Sequence, residues 1–264
     1  MNSKHLDVLI IGAGLSGIGA AAQLRRECPG KSFALIERRA SMGGTWDLFR
    51  YPGIRSDSDM FTLGYSFKPW KEEKSIASGE SILNYIKETA ADYKIDDHIH
   101  YGRKVISVSW STPDTSWTVT TEREEDGTQD VFTCNYLIGC TGYYNYDAGF
   151  TPKFPGTEKF QGQIIHPQKW SKDIDYTNKK VVIIGSGATA VTLLPAMANN
   201  TSHITMLQRS PTYVATVPEK DAISIQLRKF LPEKLVYKLA RTRNVGIQRA
   251  VYKLSKHRPK TMRR

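Results

Sequence analysis

The 264-residue sequence predicts an α/β protein with two Rossmann-like three-layer dinucleotide-binding domains. Three observations predict it. Two glycine-rich loops, Gly12-Ala-Gly14-Leu-Ser16-Gly17 and Gly185-Ser186-Gly187-Ala188-Thr189-Ala190-Val191, stand about 170 residues apart. Each follows an apolar run, Leu6 to Ile11 and Lys180 to Ile184, of the kind that forms a buried parallel strand. Each is followed by helical sequence, so that a helix N-terminus with free N–H groups faces any phosphate the glycines admit.

Composition narrows the class. With 40% apolar and 24% charged residues, the chain reads as globular. No apolar run approaches the roughly 18 residues of a membrane span. The N-terminus, Met1-Asn-Ser-Lys-His-Leu-Asp, lacks the apolar core of a signal peptide, so a cytoplasmic location is expected. Cys28, Cys134 and Cys140 make neither a CxxC pair nor an even framework, and reduced thiols are expected. The missing C-x-x-x-x-C excludes the disulfide-reductase flavoproteins. Charge is uneven: residues 228–264 hold 13 Lys/Arg and one acid, Glu233, for +12, while the rest hold 24 Lys/Arg and 25 acids, for −1.

The first glycine loop opens a helix expected to run to about Glu27, and a second strand, Phe33 to Ile36, ends in Glu37. That acid lies 20 residues after Gly17, where a carboxylate accepts hydrogen bonds from ribose hydroxyls. An acid there suits the unphosphorylated ribose of FAD. The double glycine in Ser41-Met-Gly43-Gly44-Thr45-Trp46-Asp47-Leu48 lets backbone approach a flat ring or a phosphate. Arg50-Tyr-Pro52-Gly53-Ile-Arg55-Ser56-Asp57-Ser-Asp59 is polar and turn-rich. Glu80 to Tyr93 predicts an amphipathic helix, and Ile99 to Thr120 short alternating strands, followed by the turn Asp126-Gly127 and a strand into Leu137-Ile138. His98 and His100 share a predicted strand face, with no third ligand near in sequence to make a metal site.

In the second unit, Ala190 takes the packing position of the third glycine. The next strand, Ile204 to Gln208, ends in Arg209-Ser210 rather than an acid. A guanidinium and a hydroxyl suit a 2′-phosphate, which selects NADPH over NADH. From Leu227 the sequence predicts a basic helical tail, in which Leu231, Leu235 and Leu239 recur at i+4 among Lys and Arg. Such a helix packs against a partner domain, lies peripherally on an anionic membrane surface, or binds nucleic acid nonspecifically. The expected division is 1–142, 143–178, 179–226 and 227–264.

Between the loops lies Phe160-Gln-Gly162-Gln-Ile-Ile-His166-Pro-Gln-Lys-Trp170. Its pattern, F-x-G-x-x-x-H-x-x-x-W, resembles the fingerprint of the Baeyer–Villiger monooxygenases, a branch of the class B flavoprotein monooxygenases. The resemblance runs along nearly the whole chain and is closest to the ethionamide-activating (EthA-type) members; Ser171, after the Trp, departs from the usual Pro or Asp. It implies that FAD and NADPH are both bound, with residues 1–142 the start of an FAD domain, 143–178 a linker, 179–226 the start of an inserted NADP domain and 227–264 the basic tail. It implies flavin contacts from Thr45, Trp46, Asp47 and Leu48, an adenine contact from the Val105 backbone, and a domain crossing at Cys140-Thr141-Gly142. It places Asp57 in the active site, with Arg55 and Ser56 touching NADP. Phe160, Gly162, His166 and Trp170 would link the domains. The implied reaction passes hydride from NADPH to FAD, takes up O2 as a C4a-peroxyflavin, and inserts oxygen into a ketone or oxidises sulfur. N/S-oxygenating flavin monooxygenases are the alternative within the enzyme class. The resemblance also implies a chain about twice as long, the further part carrying an active-site arginine that no residue here supplies. A truncated, noncatalytic nucleotide-binding fragment is therefore a second alternative.

Overall fold

The computed structural model describes residues 4–262, apart from 211, 213 and 215. Its frame is a six-stranded sheet formed by β1 (Lys4–Ile11), β2 (Phe33–Ile36), β3 (Ile99–His100), β4 (Arg103–Ser111), β5 (Ser116–Arg123) and β6 (Gln129–Gly139), in the order β3-β2-β1-β6-β5-β4. β1 pairs in parallel with both β2 and β6, while β4, β5 and β6 form an antiparallel meander. The centre of β1 has neighbours on both edges, and Leu9 and Ile10 are fully buried. A strand covered on both sides must be apolar throughout, which is why Leu6 to Ile11 shows no alternation.

Helices α1 (Leu15–Glu27) and α4 (Gly79–Asp92) pack on one face of this sheet, with short helices α2 (Thr45–Leu48) and α3 (Met60–Leu63) between them. The core under them joins Ile10, Ile18, Leu35, Met60, Phe61, Trp70, Ile82 and Ile86. Each such side chain contributes about 1.5–3 kcal/mol on burial. Ser78 caps α4 by accepting from the Ser81 amide.

His98 departs from the expected strand face. It lies in a 3-10 turn ahead of β3, stacks on Phe33 and meets the Phe33 carbonyl and the Arg25 guanidinium through its two ring nitrogens. It is a packed structural residue, separated from the strand position of His100.

The second unit is a parallel pair, β7 (Lys180–Ile184) and β8 (His203–Leu207), joined by α5 (Ala188–Met197). Ile183, Ala190, Leu193 and Met197 form a core together with Phe49 and Tyr51 from the first half. Val182, Ile184 and Leu207 remain exposed.

After residue 218 the chain returns to the first half. The Ser75 and Ile76 amides both donate to the Glu219 carbonyl. Helix α6 (Ala222–Leu227) follows, then the 25-residue α7 (Glu233–His257) and the short α8 (Pro259–Met262). The start of α7 lies on α3 and buries Val236, Tyr237 and Ala240, leaving Leu235 and Leu239 exposed. The predicted leucine stripe is thus not the packing face. The Tyr237 hydroxyl reaches the Tyr65 carbonyl, and Arg241 donates to the carbonyls of Phe61, Thr62 and Gly64. These polar contacts set the helix rotation. Among the described residues no helix is long and apolar enough to cross a membrane.

Two measurements probe this clasp. Arg241→Met strips three carbonyls of their donor, and a loss of about 1–3 kcal/mol is expected, read as a lower thermal midpoint. An unchanged midpoint would show that water serves those carbonyls equally well. Asp221, the N-cap of α6, accepts from the Ser224 amide and from Arg243 on α7. Burial pushes its pKa up, but the Arg243 guanidinium and the Ser224 amide outweigh burial and hold it below the usual carboxylate value. A depressed folded-state pKa gives stability that is present above the unfolded value and lost as pH falls through the folded one. Urea midpoints should therefore drop below about pH 4, and Asp221→Asn should flatten that drop.

Candidate functional site

The first glycine loop closes through backbone alone. The Gly12 amide donates to the Ile36 carbonyl and the Cys140 amide to the Ile11 carbonyl, so the loop sits where β1, β2 and β6 end together. A Cβ on Gly12, whose φ is +104°, would lie 2.4 Å from the Cys140 carbonyl oxygen, and one on Gly17 only 1.9 Å from the Gly12 oxygen. Helix α1 therefore begins in direct backbone contact with the turn. Its N-cap, Gly14, makes no side-chain cap. The amides at this end have no intrahelical acceptor, and Ser16 is exposed beside them.

Gly14 faces the second glycine pair. A Cβ on it would lie 3.5 Å from the Gly44 Cα, and the Gly43 amide donates to the Ala13 carbonyl. Buried Glu37 closes one end of this slot, accepting from the amides of Ala13 (2.8 Å) and Arg39 (2.9 Å). An ionised carboxylate has about four acceptor sites, so capacity remains for a ribose. The Arg103 amide donates to the Glu37 carbonyl, and two residues on, the register of β4 slips after Val105. A helix start without a cap, two bare glycine walls and an acid at the strand end fit the diphosphate and unphosphorylated ribose of FAD.

Thr45 and Trp46 open α2 directly beyond this slot, and both are half-buried. A cavity of about 430 Å³ beside them is lined by Trp46, Phe49, Arg50, Ile54, Leu83 and Lys87, among others. Asp47 is different. Its buried carboxylate accepts from Ser41 and pairs with Arg39 and Arg50, each at 2.8 Å, so its acceptors are committed within the protein. Leu48 packs towards the second unit. Arg55 and Asp57 are exposed and 3.9 Å apart, while buried Ser56 donates to the Ser58 carbonyl. Neither exposed side chain is clamped, and both remain available to a ligand.

The second loop repeats the first with fewer contacts. Gly187 caps α5 without a side-chain bond, and among the described residues nothing beyond the chain neighbours lies within 4 Å of a Cβ built on Gly185 or Gly187. Ser186, Thr189 and Val191 are half-buried, Ala188 is exposed, and Ala190 is buried as the packing position requires. Arg209 and Ser210 follow β8 and are exposed, and among the described residues Arg209 has no acid within ion-pair distance. This end suits a phosphorylated ribose.

The fingerprint residues occupy three environments. Trp170 packs into the core shared by Phe49, Tyr51, Ala190 and Leu193, against Tyr176. His166 is half-buried, its Nδ1 accepts from the Gln168 amide, and its ring fills the place where a Gly149 side chain would stand. Phe160 is 60% exposed and folds over Gly162. Of the four, His166 and Trp170 are the two seen to pack against other segments among the described residues.

Several residues at the joint carry no sequence pattern. Tyr51 is buried between the units, and that burial raises its pKa. Gly53, at φ +76°, lets the Pro52-Gly53 turn approach Ala196 and Thr192 of α5. Arg39 and Tyr146 meet across the flavin-side slot. The turn dipeptide was the one visible signal; the others depend on partners distant in sequence.

Two dinucleotide loops on separate sheets, with the second helix sharing an aromatic core with the flavin-side segment, define an α/β scaffold of the two-dinucleotide class. The chain belongs to the flavin-binding monooxygenase-like family, whose model matches residues 5–227. It is 54% identical over 263 residues to the FAD-containing monooxygenase EthA of Mycobacterium tuberculosis, covering 99% of this chain and 53% of EthA. To MymA of the same organism it is 55% identical over 266 residues, covering 99% of this chain and 54% of MymA. The chain thus spans about half the length of the curated relatives it matches. Among solved structures it resembles a steroid monooxygenase bound to NADP, with a TM-score of 0.73 and 28% identity, covering 89% of this chain and 43% of the other. A cyclohexanone-bound cyclohexanone monooxygenase gives a TM-score of 0.75 at 25% identity, with 92% and 45% covered.

Proposed function

We propose that the chain takes part in an NADPH- and FAD-dependent monooxygenase reaction that places one oxygen atom of O2 into a ketone, giving an ester or lactone, or onto the sulfur of a thio-compound. The observation that carries this is the joint: Trp170 of the fingerprint packs beside Ala190 and Leu193 of the second loop's helix, while Phe49 and Tyr51 bring the flavin-side segment to the same core. The similarity to a monooxygenase solved with cyclohexanone supports the ketone. Bound FAD, reduced by hydride from NADPH, supplies the activation of dioxygen.

The remaining steps belong to this chain's residues. Gly12, Gly14, Ser16 and Gly17 admit the diphosphate to the amides of α1, Glu37 accepts from the ribose, and the Val105 backbone meets the adenine. Thr45 and Trp46 border the flavin, with the Asp47–Arg39 pair holding their helix in place. Gly185 to Val191 hold the second diphosphate, and Arg209 and Ser210 take the 2′-phosphate. Arg55, Ser56 and Asp57 would contact NADP, with the Asp57 carboxylate helping to set the position and protonation of the family's active-site arginine. In this reading residues 1–142 start the flavin domain, 143–178 link, 179–226 start the NADP domain, and 227–264 form the basic tail. The free cysteines fit a cytoplasmic setting, and the exposed basic end of α7 fits peripheral contact with an anionic membrane surface.

The test is direct. The purified protein is assayed for bound FAD, then for NADPH-dependent conversion of cyclohexanone and of thioanisole under ¹⁸O2. One labelled oxygen in lactone or sulfoxide is expected. N-oxide from an amine with the ketone untouched would move the chain to the N-oxygenating class, and absence of FAD would overturn the reading.

A further inference from the structure

Residues 144–149 are fastened on both sides. Towards the flavin slot, the Tyr146 hydroxyl lies 3.5 Å from Thr45 Oγ1 and would lie 3.4 Å from a Cβ on Gly44. The Arg39 guanidinium stands 6.0 Å over the Tyr146 ring, and the same Arg39 donates to the Gly44 carbonyl and pairs with Asp47. Its backbone amide donates to Glu37. Tyr146 thus stands against Thr45, Gly44 and Arg39, and Arg39 in turn links it to Asp47 and Glu37. Towards the fingerprint, the Asn145 carbonyl accepts from Gln168 Nε2 at 2.7 Å, and Gly149 backs directly onto the His166 ring. Gln168 also donates its amide to His166 Nδ1. Tyr146 on one side, and Asn145 and Gly149 on the other, join the flavin slot to the fingerprint loop within six residues.

We propose that residues 144–149 form a strap that couples occupancy of the flavin slot to the setting of the fingerprint loop, with Tyr146 as its positioning residue on the cofactor side. The proposal rests on the functional reading above, since it needs FAD in that slot. The Tyr146–Thr45 contact is long for an O–H···O bond, whose usual distance is about 2.7–2.8 Å. Both hydroxyls thus have capacity for a phosphate or ribose oxygen arriving beside Gly44. A ligand that engages Tyr146 fixes the strap, and the strap fixes Asn145 and Gly149 against Gln168 and His166. Because coupling between two binding sites is reciprocal, a second nucleotide bound beside the fingerprint should tighten FAD in turn.

The experiment measures FAD affinity by flavin fluorescence, with and without saturating NADP⁺, for the wild-type protein, Tyr146→Phe and Gln168→Ala. NADP⁺ is expected to tighten FAD by about fivefold or more in the wild type, the lower end of ordinary allosteric coupling. In either variant the ratio should fall below about twofold. Gln168→Ala should do this with its FAD affinity in the absence of NADP⁺ unchanged, since its side chain meets the strap from the fingerprint side and contacts no described residue of the slot. A residue of merely structural importance would alter affinity or melting without altering that ratio. Should Tyr146→Phe fail to hold FAD, Gln168→Ala still decides. FAD bound with wild-type coupling in the variants, or with no coupling in the wild type, overturns the strap alone. A protein that takes up no FAD overturns the functional reading as well.

Discussion

Gly17→Ala should yield a protein that melts well below the wild type and retains no flavin. The methyl group has nowhere to go: it would stand 1.9 Å from the Gly12 carbonyl oxygen and 3.6 Å from the Cys140 Cβ. The near atom is backbone, held in turn by the Gly12 amide's bond to Ile36. Relief requires α1 to move off β1, which opens the core around Ile10 and Ile18. Overpacking of this kind costs about 1–3 kcal/mol, and more where backbone must shift. The same displacement carries the α1 amides away from the slot, and loss of even two charge-assisted bonds of about 1.5–3 kcal/mol each weakens binding at least a hundredfold. Thermal unfolding and flavin content after gel filtration read both effects. A variant with wild-type melting and a full complement of FAD would show that the backbone contact at Gly17 does not seat the helix.

Arg209→Ala should raise the dissociation constant for NADPH by about 10- to 100-fold while leaving that for NADH within about twofold, corresponding to one lost guanidinium–phosphate contact of about 1.5–3 kcal/mol. The arginine follows β8, exposed, where many dinucleotide sites place an acid for the ribose diol. No other contact among the described residues depends on its charge, so the fold should not change. Isothermal titration with each nucleotide separates the outcomes. Equal weakening of both would mean that Arg209 supports the loop and not the phosphate. A wild-type preference for NADH would remove the 2′-phosphate assignment.

The parts of the fold legible in the sequence are those that local physics dictates. β1 and β2 announce themselves because a doubly covered strand has no polar face, and Glu37 is found because strand and helix rise fix how far an acid lies from the glycine turn; β7, read as a buried strand from the same apolar pattern, leaves Val182 and Ile184 exposed. α7 shows the limit. Its leucines at i+4 mark an apolar stripe, yet the helix docks through Val236, Tyr237 and Ala240, since Arg241 finds carbonyls on α3 and Tyr237 one just past it. His98 was misplaced for the same reason: Arg25 and Phe33, distant in sequence, hold it off the strand. Arg39 and Tyr146 carry no motif. Only the fold brings the start of the 144–149 segment over Gly44.

The sheet order also sets a timetable for the nascent chain. β1 meets β2 early, but its other edge waits for β6, whose Thr133 pairs with His5 across 128 residues. The meander from 103 to 139 can meanwhile close by short-range hairpins, because β4–β5 and β5–β6 are antiparallel neighbours in sequence. Closing long loops costs entropy before contacts repay it, and such topologies fold slowly. A half-built ribosomal product therefore carries a preformed β-hairpin unit and a strand with one bare edge. The last residues of β6 complete the floor on which the Gly12 turn rests. The backbone seat of the glycine loop is then complete only once Cys140 has been made, however early the loop itself emerges.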